Sequence, residues 1–304
     1  MSFVDRAIAR ALPLVPRRVV REVAARYIAG EELADACRVV RSLNAKGKLA
    51  TLDVLGEEVR TEVEAAEIVR SYLAALDEID RQGLRSGVSV KPTALGLDLD
   101  RELCRSNFET IVRAAAERSR FVRIDMEDSS TTSGTLAVYR ELRDRGLDNV
   151  GIVLQARLRR TLDDARELAG LRPDVRLCKG IYLEPEDVAY QDDDEVGKSF
   201  LRVAESLLES GSRVAFATHA DRLIQGARVL VRELGKPYDS YELQMLLGVR
   251  PDVADRLVKS GERVRIYVPY GRRWYEYSLR RLQENPRMAT MIARDLLRRP
   301  AKRR

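Results

Sequence analysis

Polar and charged side chains occur at the ends of short apolar segments, where a buried strand would normally carry none. Lys91 ends the segment GVSVK, Asp125 ends FVRID, and Arg176 lies within VRLCK. Burying an ammonium, a carboxylate or a guanidinium costs free energy unless the group is paired or binds a ligand. These three residues are therefore candidates for binding or catalysis.

Each candidate has more than one chemical interpretation. Lys91 could form a Schiff base, anchor a substrate carboxylate, or be half of a buried ion pair. Asp125 could act in catalysis, or it could be the buried partner of Arg176. Arg176 and Lys179 place two cations near Gly180, where a backbone can approach a ligand closely. Such a pair suits a phosphate group or an electron-rich ring system.

A further set of candidates follows the last apolar segment, in the sequence RIYVPYGRRWYEYSLRRLQENP. In a helix, Tyr277, Arg281 and Glu284 would lie on one face, with Arg280 about 100° around the axis from Arg281. Two adjacent guanidiniums could hold one small carboxylate. The alternative is a solvated helix with an ordinary ion pair between Arg280 and Glu284.

The elements that would position these residues alternate regularly along the chain. Eight strand–helix alternations over roughly 250 residues predict an α/β protein with a (βα)8 TIM-like barrel, whose active site lies at the C-terminal strand ends. Pro269 and Gly271 are expected to end the last strand. The predicted strands are Ala50–Leu55, Val88–Lys91, Phe121–Met126, Val150–Ala156, Val175–Lys179, Arg213–Ala217, Tyr241–Leu246 and Val264–Val268.

Residues 1 to about 45 are predicted to form an N-terminal helical arm, and residues 46–304 the catalytic barrel. In the arm, Phe3, Ala7 and Leu12 would line one helix face, with Arg6 and Arg10 beside it. A basic amphipathic helix of this kind could pack across one end of the barrel. Alternatively, it could attach the protein peripherally to a membrane surface.

The composition argues against several functional classes. The single histidine, His219, leaves no His-rich metal site and no HExxH motif, so no metal is expected. Acidic and basic residues are interspersed, so the net charge of +6 predicts a solvated surface or an anionic membrane as partner, and no nucleic acid. Scattered cysteines and the absence of a ~20-residue apolar span predict a cytoplasmic protein, or one bound to the inner face of the cytoplasmic membrane.

Seven motifs occur in the order SVKPTALG, IDMEDSS, VLQARLRRTLDD, RLCKGIYLEP, FATHA, ELQMLLG and RIYVPYGRRWYEYSLRRL. Together, from about Val88 to Pro286, they resemble flavin-dependent proline dehydrogenases, both the short bacterial enzymes and the corresponding domain of PutA proteins. The resemblance implies non-covalent FAD, oxidation of L-proline to 1-pyrroline-5-carboxylate as the first step of proline catabolism, and a membrane quinone as electron acceptor. The alternatives are a flavin barrel of the methylenetetrahydrofolate reductase type and a non-catalytic basic scaffold.

The resemblance also implies roles by position. Asp125 and Arg176 would be the catalytic pair, with Arg176 directed at the flavin. Lys91, Arg280 and Arg281 would bind the proline carboxylate. The remaining positions would complete the substrate and cofactor sites: Glu284 holding one arginine, Tyr267 and Tyr277 lining the pyrrolidine ring, and Met126, Gln155, Arg176, Lys179, Gly180, Ile181, Thr218 and His219 binding the flavin.

Overall fold

Eight parallel strands form a closed barrel in the computed structural model, which describes residues 21, 24–56, 59–275 and 277–278. Each strand pairs with the next along the chain, and the last pairs with the first. The predicted (βα)8 TIM-like barrel is confirmed. The strands are β1 Leu49–Val54, β2 Ser86–Val90, β3 Val122–Ile124, β4 Val150–Gln155, β5 Asp174–Cys178, β6 Arg213–Ala217, β7 Tyr241–Leu246 and β8 Val264–Tyr270.

In the described part of the chain, helix α1, Leu33–Ala45, leads into the barrel, and a helix follows each of the first seven strands. Several begin at a side chain that accepts a hydrogen bond from the first turn, as Thr61, Asp100 and Asp192 do. These caps fix where each helix leaves the rim of the barrel. The helices are α1 Leu33–Ala45, α2 Glu62–Arg81, α3 Arg101–Glu117, α4 Thr132–Asp144, α5 Thr161–Leu168, α6 Asp193–Glu209, α7 Asp221–Glu233 and α8 Pro251–Lys259.

The expectation that Pro269 ends the last strand is wrong. β8 continues through Pro269 to Tyr270, and Pro269 pairs with Asp53 of β1. The neighbouring strand β7 has already ended, so no ladder partner there needs the N–H that proline lacks. The Pro269 carbonyl instead accepts a hydrogen bond of 2.9 Å from the Ala29 amide of the N-terminal segment.

The N-terminal segment packs against the barrel as far as the structure describes it. Helix α1 contacts β1 and β8, and it buries Ala36, Cys37 and Val40 completely in the main core. Ala24 and Ile28 belong to a smaller apolar cluster at the C-terminal end of β1. Residues 1–20 and 22–23 of the predicted arm lie outside the described residues, so the domain division at residue 45 stays a prediction. None of the described helices is long and apolar enough to cross a membrane.

The barrel encloses polar side chains where most such barrels enclose valine, isoleucine and leucine. Asp53, Ser89 and Gln244 are buried on three different strands, and so are Arg123 and Arg176. Their polar atoms bond to one another across the interior, as when Arg176 of β5 donates to Ser89 of β2 at 3.0 Å. The interior is therefore held by hydrogen bonds, which fix the side chains of the site.

Candidate active site

A single hydrogen-bonded network occupies the half of the barrel nearest the C-terminal strand ends. Every member is buried, with at most 8% of its surface exposed. The members come from five strands and from the residues that directly follow β2 and β3, so barrel closure is what brings them together. They are Asp53, Ser89, Lys91, Asp125, Arg176, Gln244 and Tyr267.

Lys91 forms a buried ion pair with Asp53. Its Nζ lies 2.7 Å from Asp53 Oδ2 and 3.4 Å from the Tyr267 hydroxyl. Of the three interpretations of Lys91, the ion pair is the one that the structure displays directly. A carboxylate partner favours the protonated ammonium, which suits an anchor for a second carboxylate better than a Schiff base, because Schiff-base formation needs a neutral amine.

The Tyr267 hydroxyl lies between two carboxylates and has one proton to donate. It is 2.6 Å from Asp53 Oδ2 and 3.1 Å from Asp125 Oδ2, so the shorter bond goes to Asp53. Burial raises the pKa of Tyr267 well above its ordinary value, and the charges of Asp125 and Asp53 raise it further. Burial also raises the pKa of Asp53, while Lys91 opposes that rise. The phenol therefore stays neutral and acts as a hydrogen-bond donor.

Arg176 is held on three sides. Its Nη1 lies 2.7 Å from Asp125 Oδ1 and 3.0 Å from Ser89 Oγ, and its Nε lies 2.6 Å from Gln244 Oε1. The Tyr267 ring centroid is 5.3 Å from the guanidinium carbon. Asp125 and Arg176 are thus in direct contact, as the predicted catalytic pair requires, while their catalytic roles stay a prediction.

Apart from Arg176, the predicted flavin-binding residues lie around this network rather than within it. Gln155 ends β4 and donates a hydrogen bond of 2.6 Å to the Glu127 carbonyl. Gly180 has a φ of +98°, and a Cβ there would lie 3.1 Å from Gln155 Oε1 and from Arg157 Cβ. A larger residue at position 180 would therefore be strained and would fill the space beside Gln155.

His219 follows β6 and is held neutral. Its Nε2 accepts a hydrogen bond of 3.0 Å from the Leu246 amide, so that nitrogen carries no proton. Burial lowers the pKa of His219 to about 4, and the nearby Arg250 contributes to the shift. Thr218, one residue earlier, accepts a 3.2 Å hydrogen bond from the Ala220 amide. The pair forms a fixed, uncharged part of the barrel rim.

The other predicted site residues differ in burial, and three of them lie outside the described part of the chain. Lys179 is about one-third exposed and forms an ion pair of 2.8 Å with Asp193. Met126 is buried, and Ile181 is half-buried. Tyr277 is buried in the apolar cluster with Leu55 and Trp274, at the end of β1. The remaining predicted substrate-binding residues, Arg280, Arg281 and Glu284, lie outside the described residues.

Asp53, Ser89 and Gln244 belong to the network but were not predicted from the sequence. Asp53 is completely buried and contacts both Lys91 and Tyr267. A usable signal was present, since a carboxylate in the middle of the apolar segment LATLDVL cannot face apolar surroundings without a partner. Ser89 and Gln244 are uncharged and gave a weaker signal, because such residues also occur on the outer faces of strands.

A closed (βα)8 barrel with a buried ionic network toward its C-terminal strand ends is the arrangement of a (βα)8-barrel enzyme. Comparisons with known proteins narrow that class. The family model described as proline dehydrogenase matches residues 36–294. The chain belongs to the proline dehydrogenase family, which confirms the resemblance seen in the motifs.

Individual relatives agree with the family match. The chain is 37% identical over 274 residues to proline dehydrogenase 1 of Bacillus subtilis, covering 90% of each protein. It is 35% identical over 285 residues to the proline dehydrogenase of Deinococcus radiodurans, covering 92% of each.

The fold is also shared with solved structures. The crystal structure of proline utilization A from Bdellovibrio bacteriovorus, inactivated by N-propargylglycine, matches with a TM-score of 0.81 and 26% identity. That match covers 87% of this chain but 33% of the other, so the chain corresponds to about a third of that larger protein.

Proposed function

We propose that the protein oxidises L-proline to 1-pyrroline-5-carboxylate, with non-covalently bound FAD, and that a membrane quinone receives the electrons. The observation that carries the proposal is the buried network that joins Lys91, Asp53 and Tyr267 to Asp125 and Arg176. The family match supports proline as the substrate over the folate chemistry of the methylenetetrahydrofolate reductase type.

Lys91 binds the carboxylate of proline in this proposal, together with Arg280 and Arg281. Each charge-assisted hydrogen bond of such a clamp contributes roughly 1.5–3 kcal/mol. The ion pair with Asp53 fixes the position of the ammonium before substrate arrives. Tyr267 and Tyr277 line the pyrrolidine ring, and Glu284 orients one of the two arginines.

Asp125 orients its neighbours rather than accepting a proton from the substrate. Its Oδ1 accepts from Arg176 and Ser89, and the Tyr267 oxygen lies 3.1 Å from its Oδ2 and restricts access to that atom. A carboxylate with these partners is poorly placed to act as a general base, which needs a free lone pair directed at the substrate. Its role is to hold Arg176 beside the reacting atoms.

The residues around the network fit a flavin nucleotide. Gly180 leaves room beside Gln155, and the nearby Arg157 has an Nε that is buried without a hydrogen-bond partner among the described residues. Lys179 adds a second cation, and cations favour the pyrophosphate of a dinucleotide. FAD, when bound, supplies the acceptor for the two electrons that leave proline. Met126, Ile181, Thr218 and His219 complete the proposed binding set.

The purified protein tests the proposal directly. It should show flavin absorbance, release the flavin on denaturation, and lose the absorbance band when proline is added without oxidant. A dye acceptor should then restore the band with repeated turnover. A colourless protein that cannot be reconstituted with FAD would overturn the proposal, and a yellow protein reduced by a pyridine nucleotide but not by proline would support the folate-type alternative.

The proposed location is the cytoplasm, with peripheral attachment to the inner face of the membrane through the N-terminal arm. The arm is basic and amphipathic, whereas α1 is already packed on the barrel. Removing residues 1–20 should therefore preserve proline:dye activity and weaken binding to vesicles that contain anionic lipids. Equal vesicle binding by the shortened and full chains would contradict this role of the arm.

A further inference from the structure

A polar cavity lies inside the barrel, between the active-site network and the N-terminal ends of the strands. Its volume is about 250 Å³. Its lining includes side chains at the starts of β5, β6 and β7, so it faces the N-terminal ends of the strands. The proposed proline chemistry leaves this cavity without a role. Arg176 and Gln244 also line it, so the cavity borders the active-site network. Its other charged lining residues are Arg123, Arg213, Arg263, Arg265, Asp174 and Glu242.

The two carboxylates of this cavity are each shared by two arginines. Arg213 lies between them, 2.7 Å from Asp174 Oδ2 and 2.8 Å from Glu242 Oε2. Arg265 Nε is 2.6 Å from Glu242 Oε1, and Arg123 pairs with Asp174. Both acids are ionised in this arrangement: burial alone would raise the pKa of Glu242, but Arg265 and Arg213 lower it well below its ordinary value.

Positive charge is in excess in the cavity. Five arginines line the cavity, and one of them, Arg176, is already paired with Asp125. The other four guanidiniums face two carboxylates, which leaves two uncompensated positive charges. Arg263 lies over the Tyr238 ring at 5.0 Å, a contact that does not neutralise its charge. Burial lowers the pKa of Arg123; Asp174 opposes this change, while the charge of Arg176 adds to it.

The backbone around Arg123 is shaped to admit its side chain. A Cβ at Gly151 of β4 would lie too close to the Arg123 guanidinium and to the Asp174 carbonyl oxygen. On the other side, the guanidinium carbon lies 5.0 Å from the centroid of the Phe121 ring. Glycine at position 151 therefore provides the space that lets a buried cation enter the barrel here.

We propose that this cavity binds a small dianionic oxyanion, such as phosphate. The two excess positive charges match a dianion, and guanidinium groups bind tetrahedral oxyanions through pairs of hydrogen bonds. The volume would hold roughly eight water molecules at ~30 Å³ each, which is enough for phosphate and too small for most drug-sized ligands. Binding would neutralise the cavity.

Calorimetric titration with phosphate tests the site on the full-length protein with its flavin bound. The pH is kept above the second pKa of phosphate, and sodium chloride holds the ionic strength constant so that general screening cancels. We expect one saturable site. Replacing Arg263 with glutamine removes one excess charge without leaving a carboxylate unpaired, and it should weaken binding about tenfold, as expected for one charge-assisted hydrogen bond.

Two further variants locate the anion. Arg70→Gln, on the exposed face of α2, removes the same charge far from the cavity and should bind phosphate like the wild type. Arg222→Gln removes an exposed cation at the start of α7, near the opposite rim, and should also leave affinity unchanged. Absence of saturable binding, equal affinity in Arg263→Gln and Arg70→Gln, or loss of affinity in Arg222→Gln alone would each overturn the proposal.

Discussion

The two ends of the barrel interior both contain buried ions, but they balance charge differently. Toward the C-terminal strand ends, Lys91 and Arg176 face Asp53 and Asp125, so cations and carboxylates are equal in number. Toward the N-terminal ends, four arginines besides Arg176 face two carboxylates. A balanced network holds side chains in place without needing an added ion, whereas an unbalanced one attracts an ion of opposite sign.

The charged side chains that are compared here are also less exposed to solvent at the C-terminal end than at the N-terminal end. The side chains of Lys91 and Asp53 are 5% and 0% exposed, while those of Arg213 and Arg265 are 26% and 21% exposed. Gln244 links the two ends, because it accepts from Arg176 and donates to Glu242, both at 2.6 Å. Loss of one partner should therefore be most costly at the C-terminal end, where water cannot replace it.

Replacing Lys91 with methionine should have the largest effect. Met keeps the length of the side chain but leaves the Asp53 carboxylate buried without its ion-pair partner, which costs roughly 3–5 kcal/mol of unfolding free energy. Loss of the carboxylate anchor should also lower kcat/KM for proline about a hundredfold or more. Urea unfolding and steady-state kinetics measure the two effects.

Lys198→Met is the matched control, because Lys198 is exposed on α6 and belongs to neither network. It should change stability by no more than about 0.5 kcal/mol and leave kcat/KM unchanged. If both variants behaved alike, the Lys91–Asp53 pair would have no importance for either stability or substrate binding.

The barrel was predictable because its strands and helices differ in the spacing of apolar residues. Every predicted strand boundary lies within two residues of the observed one. The sequence also contains a pattern, not used in the predictions, that marks which face of each strand points into the barrel. Parallel strands are usually apolar on both faces, so polar residues two positions apart mark the side that faces the interior. Such pairs are Arg123 with Asp125, Asp174 with Arg176, Glu242 with Gln244, and Arg265 with Tyr267.

Contacts between distant strands were less accessible from sequence. Lys91 is 38 residues from Asp53 and 176 residues from Tyr267, and only the register and closure of the barrel bring them together. Sequence spacing contains no direct information about that register. The N-terminal cavity was missed for a related reason: charged residues at strand starts resemble the solvated ends of the preceding loops.

Replacing Glu242 with glutamine should increase the excess of positive charge at the N-terminal end. Arg213 and Arg265 lose a shared carboxylate, which should destabilise the protein by about 3 kcal/mol. Because the variant adds a third excess positive charge, phosphate should bind more tightly than it does to the wild type. A weaker affinity for phosphate in a folded variant would contradict the charge argument.

The same substitution has a pH signature. The pKa of Glu242 is lower in the folded protein than its ordinary value of about 4.3, so its stabilising effect is fully present above that pH and is lost as the pH falls below it. The unfolding free energy of the wild type should therefore fall more steeply with acidification than that of Glu242→Gln. Parallel curves would show that Glu242 is not the group responsible.

Removing the Tyr267 hydroxyl should have a moderate effect at the C-terminal end. In Tyr267→Phe, the buried Asp53 carboxylate loses the hydrogen bond from the hydroxyl that lies between it and Asp125, which should cost roughly 1–3 kcal/mol of unfolding free energy. Tyr238→Phe is the control, because that ring is 52% exposed. Urea unfolding of both variants provides the comparison, and equal stabilities would show that the bridging hydroxyl contributes nothing.

The smallest expected effect is on the pKa of His219, which tests whether the imidazole at the C-terminal rim is buried in solution. The chain contains one histidine, so a single imidazole signal can be followed by NMR without assignment. In the folded protein its midpoint should be about 4, because burial and then Arg250 lower the pKa; in urea it should return to about 6.5. The folded state gains stability from this shift above about pH 6.5 and loses it as the pH falls toward 4.

Arg250→Gln should raise the folded midpoint slightly, since burial is the larger cause. A folded midpoint near 6.5 would mean that the imidazole is solvated, and that the hydrogen bond from the Leu246 amide does not persist in solution.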